Sequence, residues 1–134
     1  MSTARVLIGM IVAFILSSGL GYLVHAKLLG ADYDTVMKLY RPAADTLYTF
    51  IFLANAAYAI AFVWIFAKGV EDKPPVMQGL RFGFLAWLLA KLPPFTIQYA
   101  ISPIPGIVFM KQIGYELLTA LIIGVVVAMI VRKE

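Results

Sequence analysis

The stretch LAWLLAKLPPFTIQYA, residues 85–100, decides how this chain is read. It has the composition of a membrane helix, yet Lys91 stands two residues before the adjacent Pro93 and Pro94. A lysine ammonium is costly in hydrocarbon, and two prolines remove backbone donors and break a helix. Working outward, the apolar run extends from Gly79 to about Ser102. That is long enough to cross a core about 30 Å thick, which takes roughly 20 apolar residues. Three further runs bounded by charges cover residues 6–25, 46–66 and 113–131. The lysine and prolines therefore fall inside the third of four expected spans.

The bulk numbers agree with this reading. Of the 134 residues, 63% are hydrophobic and 13% are charged, about half the charge of an ordinary soluble domain. Four spans leave only short connections, so the expectation is one all-α transmembrane domain over residues 1–134, a four-helix bundle with no separate soluble catalytic domain. The absence of cysteine excludes disulfides, thiolate metal sites, Fe–S clusters and cysteine nucleophiles. The formal charge of +4 lies on residues flanking the spans. That distribution suits headgroup contacts, and no nucleic-acid partner is expected. The N-terminal run has the outline of a signal peptide, with Arg5, an apolar core and a Val-His-Ala ending. Its length favours a span.

Four spans put both termini on one side. Arg5, Lys68, Lys73, Arg81, Arg132 and Lys133 fall on that side, against Lys27, Lys38, Arg41 and Lys111 opposite. The excess predicts cytoplasmic termini, in a bacterial inner membrane. Trp64, Trp87 and Arg81 read as interface residues. His25, beside Lys27, reads the same way, because a lone histidine cannot build a histidine-based metal site or a bis-histidyl haem. In the first outer connection, residues 26–45, Val36, Met37 and Tyr40 follow helical spacing after Asp34 or Thr35, and Pro42 stops the run. This predicts a short amphipathic helix lying in the interface.

Small residues supply a packing pattern. Gly9, Ala13, Ser17 and Gly21 recur every fourth residue in the first span, Ala120, Gly124 and Ala128 in the fourth, and Ala57 and Ala61 in the second. Such stripes let helix backbones approach closely. They serve packing inside one bundle, self-association, or docking on a larger partner.

Polar groups at membrane depth are the candidate site. Lys91 lies roughly 18 Å along the third span, at the rise of a regular helix, and Asn55 lies at similar depth on the second. The helix break at Pro93 and Pro94 frees carbonyls near Leu89, Ala90 and Lys91 as partners for an ammonium. The outer end of that span, with Gln98, Tyr99 and Ser102, is expected to be distorted or partly unwound. Glu116, one turn into the fourth span, is within reach of a lysine stem. The expectation is an intramembrane cluster of Lys91, Glu116, Asn55 and Gln98 with Tyr58, Tyr99 and Tyr115 nearby, acting as a structural joint or receiving a ligand or proton. No Ser-His-acid set, phosphate-cradling glycine loop or metal-ligand spacing occurs. No enzymatic activity, catalytic residue, metal or cofactor is therefore expected.

The segments FIFLANAAYAIAFVWIFAKG (residues 50–69) and GLRFGFLAWLLAKLPPFTIQYA (residues 79–100) carry a resemblance. With a first span ending at a glycine-tyrosine corner and a small-residue fourth span ending in basic residues, the chain resembles small four-span bacterial membrane proteins of unassigned function. The resemblance implies the fold and a bacterial inner membrane, and no activity.

The functional expectation is a non-catalytic accessory or structural subunit of an integral membrane complex or homo-oligomer, with lipid, other membrane subunits or copies of itself as partners. Its aromatic surface is available to lipid, quinone or pigment. A groove beside the Pro-Pro break is a place for a bound lipid or quinone, with Lys91 or Arg81 meeting its headgroup or carbonyl. The alternative is a small oligomeric proton-coupled transporter or channel using Glu116 and Lys91. It resembles small multidrug transporters in length, and departs from them in having no acidic residue in the first span.

Overall fold

The computed structural model describes residues 2–133, with Met37 described by its backbone alone. Every regular element among them is helical. Helix α1, Thr3–Tyr22, starts where the Ser2 hydroxyl accepts a hydrogen bond from the Arg5 N–H at 3.3 Å, satisfying one of the donors a helix start leaves unpaired. It continues into a π-helical turn, Leu23–Leu28, closed by Leu29 N–H donating to the Val24 carbonyl at 2.8 Å. The five-residue helix α2, Gly30–Asp34, follows directly.

The expected amphipathic helix at residues 35–41 does not form as one element. That stretch holds a single 3-10 turn, Met37–Leu39, between the five-residue α2 and a second 3-10 turn at Ala43–Asp45. Apolar residues at helical spacing are too few here to nucleate a longer helix before Pro42, and Leu29 and Tyr33 are held by the bundle instead.

Helix α3 is Tyr48–Gly69, α4 is Pro75–Ala90, α5 is Leu92–Ile101 and α6 is Gly106–Ile130. Four helical stretches are long and apolar enough to cross a membrane: Thr3–Leu28, Tyr48–Gly69, Pro75–Ile101 (α4 and α5 together) and Gly106–Ile130. The fourth begins seven residues before the expected position 113. The charge on Lys111 does not bound it, because Lys111 donates to both oxygens of Asp32 at 3.2 Å.

The double proline interrupts the third span less than expected. Lys91 is the joint residue, at φ −112° and ψ −52°, and its N–H still bonds the Trp87 carbonyl at 3.0 Å. Pro93 and Pro94 fall in the first turn of α5, where a helix has no use for their missing N–H groups. The prolines thus restart a helix, and residues through Ile101 are helical rather than unwound.

The closest pairing is α4 on α6. A Cβ added at Gly83 would lie 2.5 Å from the Ala120 carbonyl oxygen and 3.1 Å from Leu121 Cα. Gly79 meets the backbone of Gly124 in the same way. Two small-xxx-small pairs, Gly79/Gly83 and Ala120/Gly124, therefore bring the two backbones together. Helix α1 packs on α3 and α6, and a Cβ at Gly9 would be 2.8 Å from Val131 Cγ2. Ala13 and Ser17 continue that buried line. Gly21 does not, since nothing lies within 4 Å of the place its Cβ would take. On α3 the buried positions are Ala59, Phe62, Val63 and Phe66. Ala57 and Ala61 are exposed, because the buried face runs through residues 59, 62, 63 and 66 and leaves them on other sides. Phe82 of α4 meets Phe62 edge-on, with ring centroids 4.8 Å apart, and closes this inner layer. Large apolar side chains such as Ile11, Ile15, Phe50, Leu53 and Trp64 face outward.

Candidate functional site

Three spans deliver polar side chains to one level because of how far each lies from the end opposite the termini. Lys91 is ten residues before Ile101, Glu116 ten residues after Gly106, and Tyr58 ten residues after Tyr48, so each sits about 15 Å in from its own end. The Glu116 carboxylate, 5% exposed, is the centre. One oxygen lies 2.6 Å from His25 Nε2 and the other 3.5 Å from Lys91 Nζ. The Lys91 ammonium also sits over the Tyr58 ring, 4.5 Å from its centroid, where the ring's negative face attracts a cation.

The network continues through His25. Its Nδ1 is 2.7 Å from the Tyr33 hydroxyl, which accepts from Gln112 Nε2 at 3.2 Å. A carboxylate only accepts, so Nε2 carries a proton and donates to Glu116. Tyr33 accepts from Gln112, and the direction of its bond with Nδ1 follows the protonation of the ring. Glu116 and Lys91 form an ion pair, and the imidazole joins the carboxylate to the Tyr33 hydroxyl. A buried ion pair is tolerated when it is balanced and hydrogen-bonded in this way.

Local backbone geometry places these groups. The π-turn adds a residue to the last turns of α1, a distortion that often re-aims a side chain at functional sites, and His25 lies within it. Its ring is stacked between Tyr33 and Phe95, with centroids 6.0 and 6.1 Å away. Helix α2 carries Tyr33 to Gln112, and Asp32 to Lys111 one residue before it on α6. Trp87 Nε1 donates to the Ile113 carbonyl at 2.9 Å, fastening α4 to α6 beside Glu116. Burial pushes the Tyr33 phenol up to about 12, against the opposing effect of its hydrogen bond with Gln112.

The remaining expected members are placed as follows. Asn55 and Gln98 are half-buried and make no side-chain hydrogen bond among the described residues. Tyr99 stacks on Phe109 with centroids 4.6 Å apart, and Tyr115 is half-buried. The expected carbonyl partners of Lys91 near Leu89 and Ala90 are not what it meets, because the ammonium turns to Glu116 and Tyr58. Arg81 lies at the terminus end, 3.5 Å from Glu71, and Trp64 is exposed with Lys68 above its ring. Among the described residues no group of three or more His, Asp or Glu side chains could hold a metal ion.

His25 is the main revision. It is not an isolated interface residue but the direct partner of Glu116, and Tyr33, Gln112 and the Asp32–Lys111 pair belong to the same assembly. The Ala120, Gly124 and Ala128 stripe signals the α6 side of the α4–α6 approach in the sequence, and the structure adds Gly79 and Gly83 as its counterpart. Nothing local signals that His25 and Glu116, 91 positions apart, would meet.

Chemically, the arrangement can hold and pass a proton. An imidazole can take one at Nδ1 on the Tyr33 side and release one from Nε2 to the Glu116 carboxylate. The Tyr58 hydroxyl, buried and without a hydrogen-bond partner among the described residues, is a spare donor beside the pair, and such a group calls for a water or a polar ligand atom. No family model matches this chain, and no curated protein or solved structure matches it either.

Proposed function

We propose that the protein is a non-catalytic subunit of an integral membrane assembly in the bacterial inner membrane, termini cytoplasmic, and that the joint around Glu116 is its working element. The joint ties the third and fourth spans to the end of the first and makes their arrangement sensitive to protonation. The observation that carries this reading is the buried Glu116 carboxylate, held between His25 and Lys91 from two other spans. A bundle that only had to pack is already closed by its glycine and alanine contacts, so the charged joint adds a response. The outward apolar faces of α1 and α3 leave the flanks for lipid or neighbouring subunits.

The test is gentle solubilisation of native membranes containing the tagged full chain, followed by native mass spectrometry. Co-migration with other membrane polypeptides or copies of itself is expected, weakened when Glu116→Gln removes the charge. Recovery solely as a free monomer would overturn the subunit reading.

A second reading, a small oligomeric proton-coupled transporter or channel, is favoured by the helix interruption at Lys91 beside a titratable pair and by the Tyr58 hydroxyl, unpartnered among the described residues. Interrupted helices build binding sites in transporters. Proton-driven flux in proteoliposomes should then fall in Glu116→Gln and Lys91→Met, and flux unchanged in both variants would remove this mechanism.

A further inference from the structure

The end of the bundle that carries the termini holds a second polar site, remote from Glu116. A cleft of about 340 Å³ opens there, lined by Arg5, Lys73, Arg132 and Lys133, with Glu71 and Asp72 and the ring of Pro75 completing its wall. Among the described residues, four cations and two carboxylates line the cleft. Glu71 is already engaged, paired with Lys73 and 3.5 Å from Arg81 outside the cleft. Setting Arg5 aside, Lys73, Arg132 and Lys133 outnumber Glu71 and Asp72 among the described lining residues.

Its floor is held in place. Gln78, buried at the start of α4, donates to the carbonyls of Glu71 and Lys73 at 2.9 and 2.7 Å, and its oxygen accepts the Glu71 N–H at 2.9 Å. Three hydrogen bonds from one buried side chain fix the loop that carries Glu71, Asp72 and Lys73. A shallow groove of about 250 Å³ lies at the same end, lined by Thr3, Val6, Trp64, Ala67 and Lys68. The first turns of α1 thus border a cationic cleft and a mainly apolar groove.

We propose that this end of the bundle binds a phosphate group, and specifically the phosphodiester of an anionic phospholipid. Position favours the lipid source over free phosphate. The cleft lies where the membrane-length helices end, which is headgroup level, and basic clusters at helix ends recognise anionic headgroups. The adjoining groove, with its indole and its lysine, offers the glycerol backbone and upper acyl chain an apolar border. The proposal concerns a site other than the Glu116 joint and stands whether or not that joint works as proposed above.

The experiment is native mass spectrometry of the detergent-solubilised full chain at low ionic strength. The chain is titrated with phosphatidylglycerol or with phosphatidylcholine of the same acyl chains. Preferential retention of phosphatidylglycerol is expected. Arg132→Gln and Lys133→Gln should each weaken it about fivefold, the effect of one cation near such a surface. Both side chains are exposed, so the variants keep the fold. Asp72→Asn removes a repelling carboxylate and should strengthen retention. Lys38→Gln, at the opposite end, should change nothing. Equal retention of the two lipids, or an unchanged preference in the Arg132 and Lys133 variants, would overturn the proposal. Competition by inorganic phosphate at the same concentration as the lipid would overturn the lipid assignment.

Discussion

Replacing Glu116 by glutamine removes one charge from a buried site while keeping nearly the same shape, and its cost can be worked from the distances. At the 3.5 Å separation of Lys91 Nζ and the carboxylate, two unit charges interact by about 4–5 kcal/mol at an effective dielectric of 20. That value is an upper bound. The Lys91 side chain is 27% exposed, it keeps the face of the Tyr58 ring, and glutamine retains a hydrogen bond to His25. Breaking a buried pair by removing one partner typically costs about 3–5 kcal/mol, and the partial exposure brings the expectation to about 2–3 kcal/mol. For a chain of this size each kcal/mol lowers Tm by about 4 °C. Glu116→Gln should thus unfold some 8–12 °C earlier by that conversion, followed in detergent by tryptophan fluorescence. Trp87 is a suitable reporter, since its indole N–H is bonded beside the site. Lys91→Met alone should cost about as much, because it leaves the carboxylate with only the imidazole. The double variant should lose only about 1–2 kcal/mol, since removing both members of a buried ion pair is close to neutral. The resulting coupling, about 2 kcal/mol or more, is what contact predicts. Additivity of the two single losses to within about 0.5 kcal/mol would refute the claim that Glu116 and Lys91 stabilise each other.

Gly83→Ala should destabilise by about 1–3 kcal/mol through overpacking, since its Cβ has no room against the Ala120 carbonyl. Gly19→Ala, with nothing within 4 Å, should be neutral or slightly stabilising, and equal Tm values for the two variants would contradict the α4–α6 packing. Burial pushes the Tyr33 phenol up from 10.0 to about 12. Between those values the unfolded chain has lost this proton while the folded chain keeps it. Stability present below pH 10 is therefore lost as pH rises towards 12, by about 2–3 kcal/mol in all, since each tenfold change in proton affinity is worth about 1.4 kcal/mol. Tyr33→Phe should remove that part of the alkaline loss and one late component of the tyrosinate absorbance titration. At the other end, the hydrogen bond and charge of Lys73 hold the Glu71 carboxyl below its usual 4.5. Its small stabilising effect is present above that value and lost as pH falls through the lowered one. Lys73→Ala should return the carboxyl towards 4.5 in a side-chain NMR titration, and an unmoved titration would show that the Lys73–Glu71 pair is not formed in solution.

The sequence alone determines the four apolar helical stretches, the approximate depth of the polar residues in the first three, and small residues able to bring backbones together. These are one-dimensional properties: run length against membrane thickness, and the fixed rise of a helix. They bring Glu116 within reach of the Lys91 stem and put Asn55 at the depth of Lys91, and the earlier start of α6 at Gly106 then brings Lys91 and Glu116 to one level. They could not rotate one helix against another. Ala57 and Ala61 carry the right residues at the right spacing and still face outward, because the apolar α3 helix offers no polar face to fix its phase. They also read Lys111 as a boundary, since a charge ends a span only when nothing neutralises it, and Asp32 is 79 positions away. His25 was the largest gap. Its position in sequence is that of an interface residue, and only the π-turn in α1, the return of α2 across the bundle and the approach of α6 bring its two nitrogens to Tyr33 and Glu116. A hydrogen bond is set by fractions of an ångström and by direction, and those are decided when helices pack, not when they form.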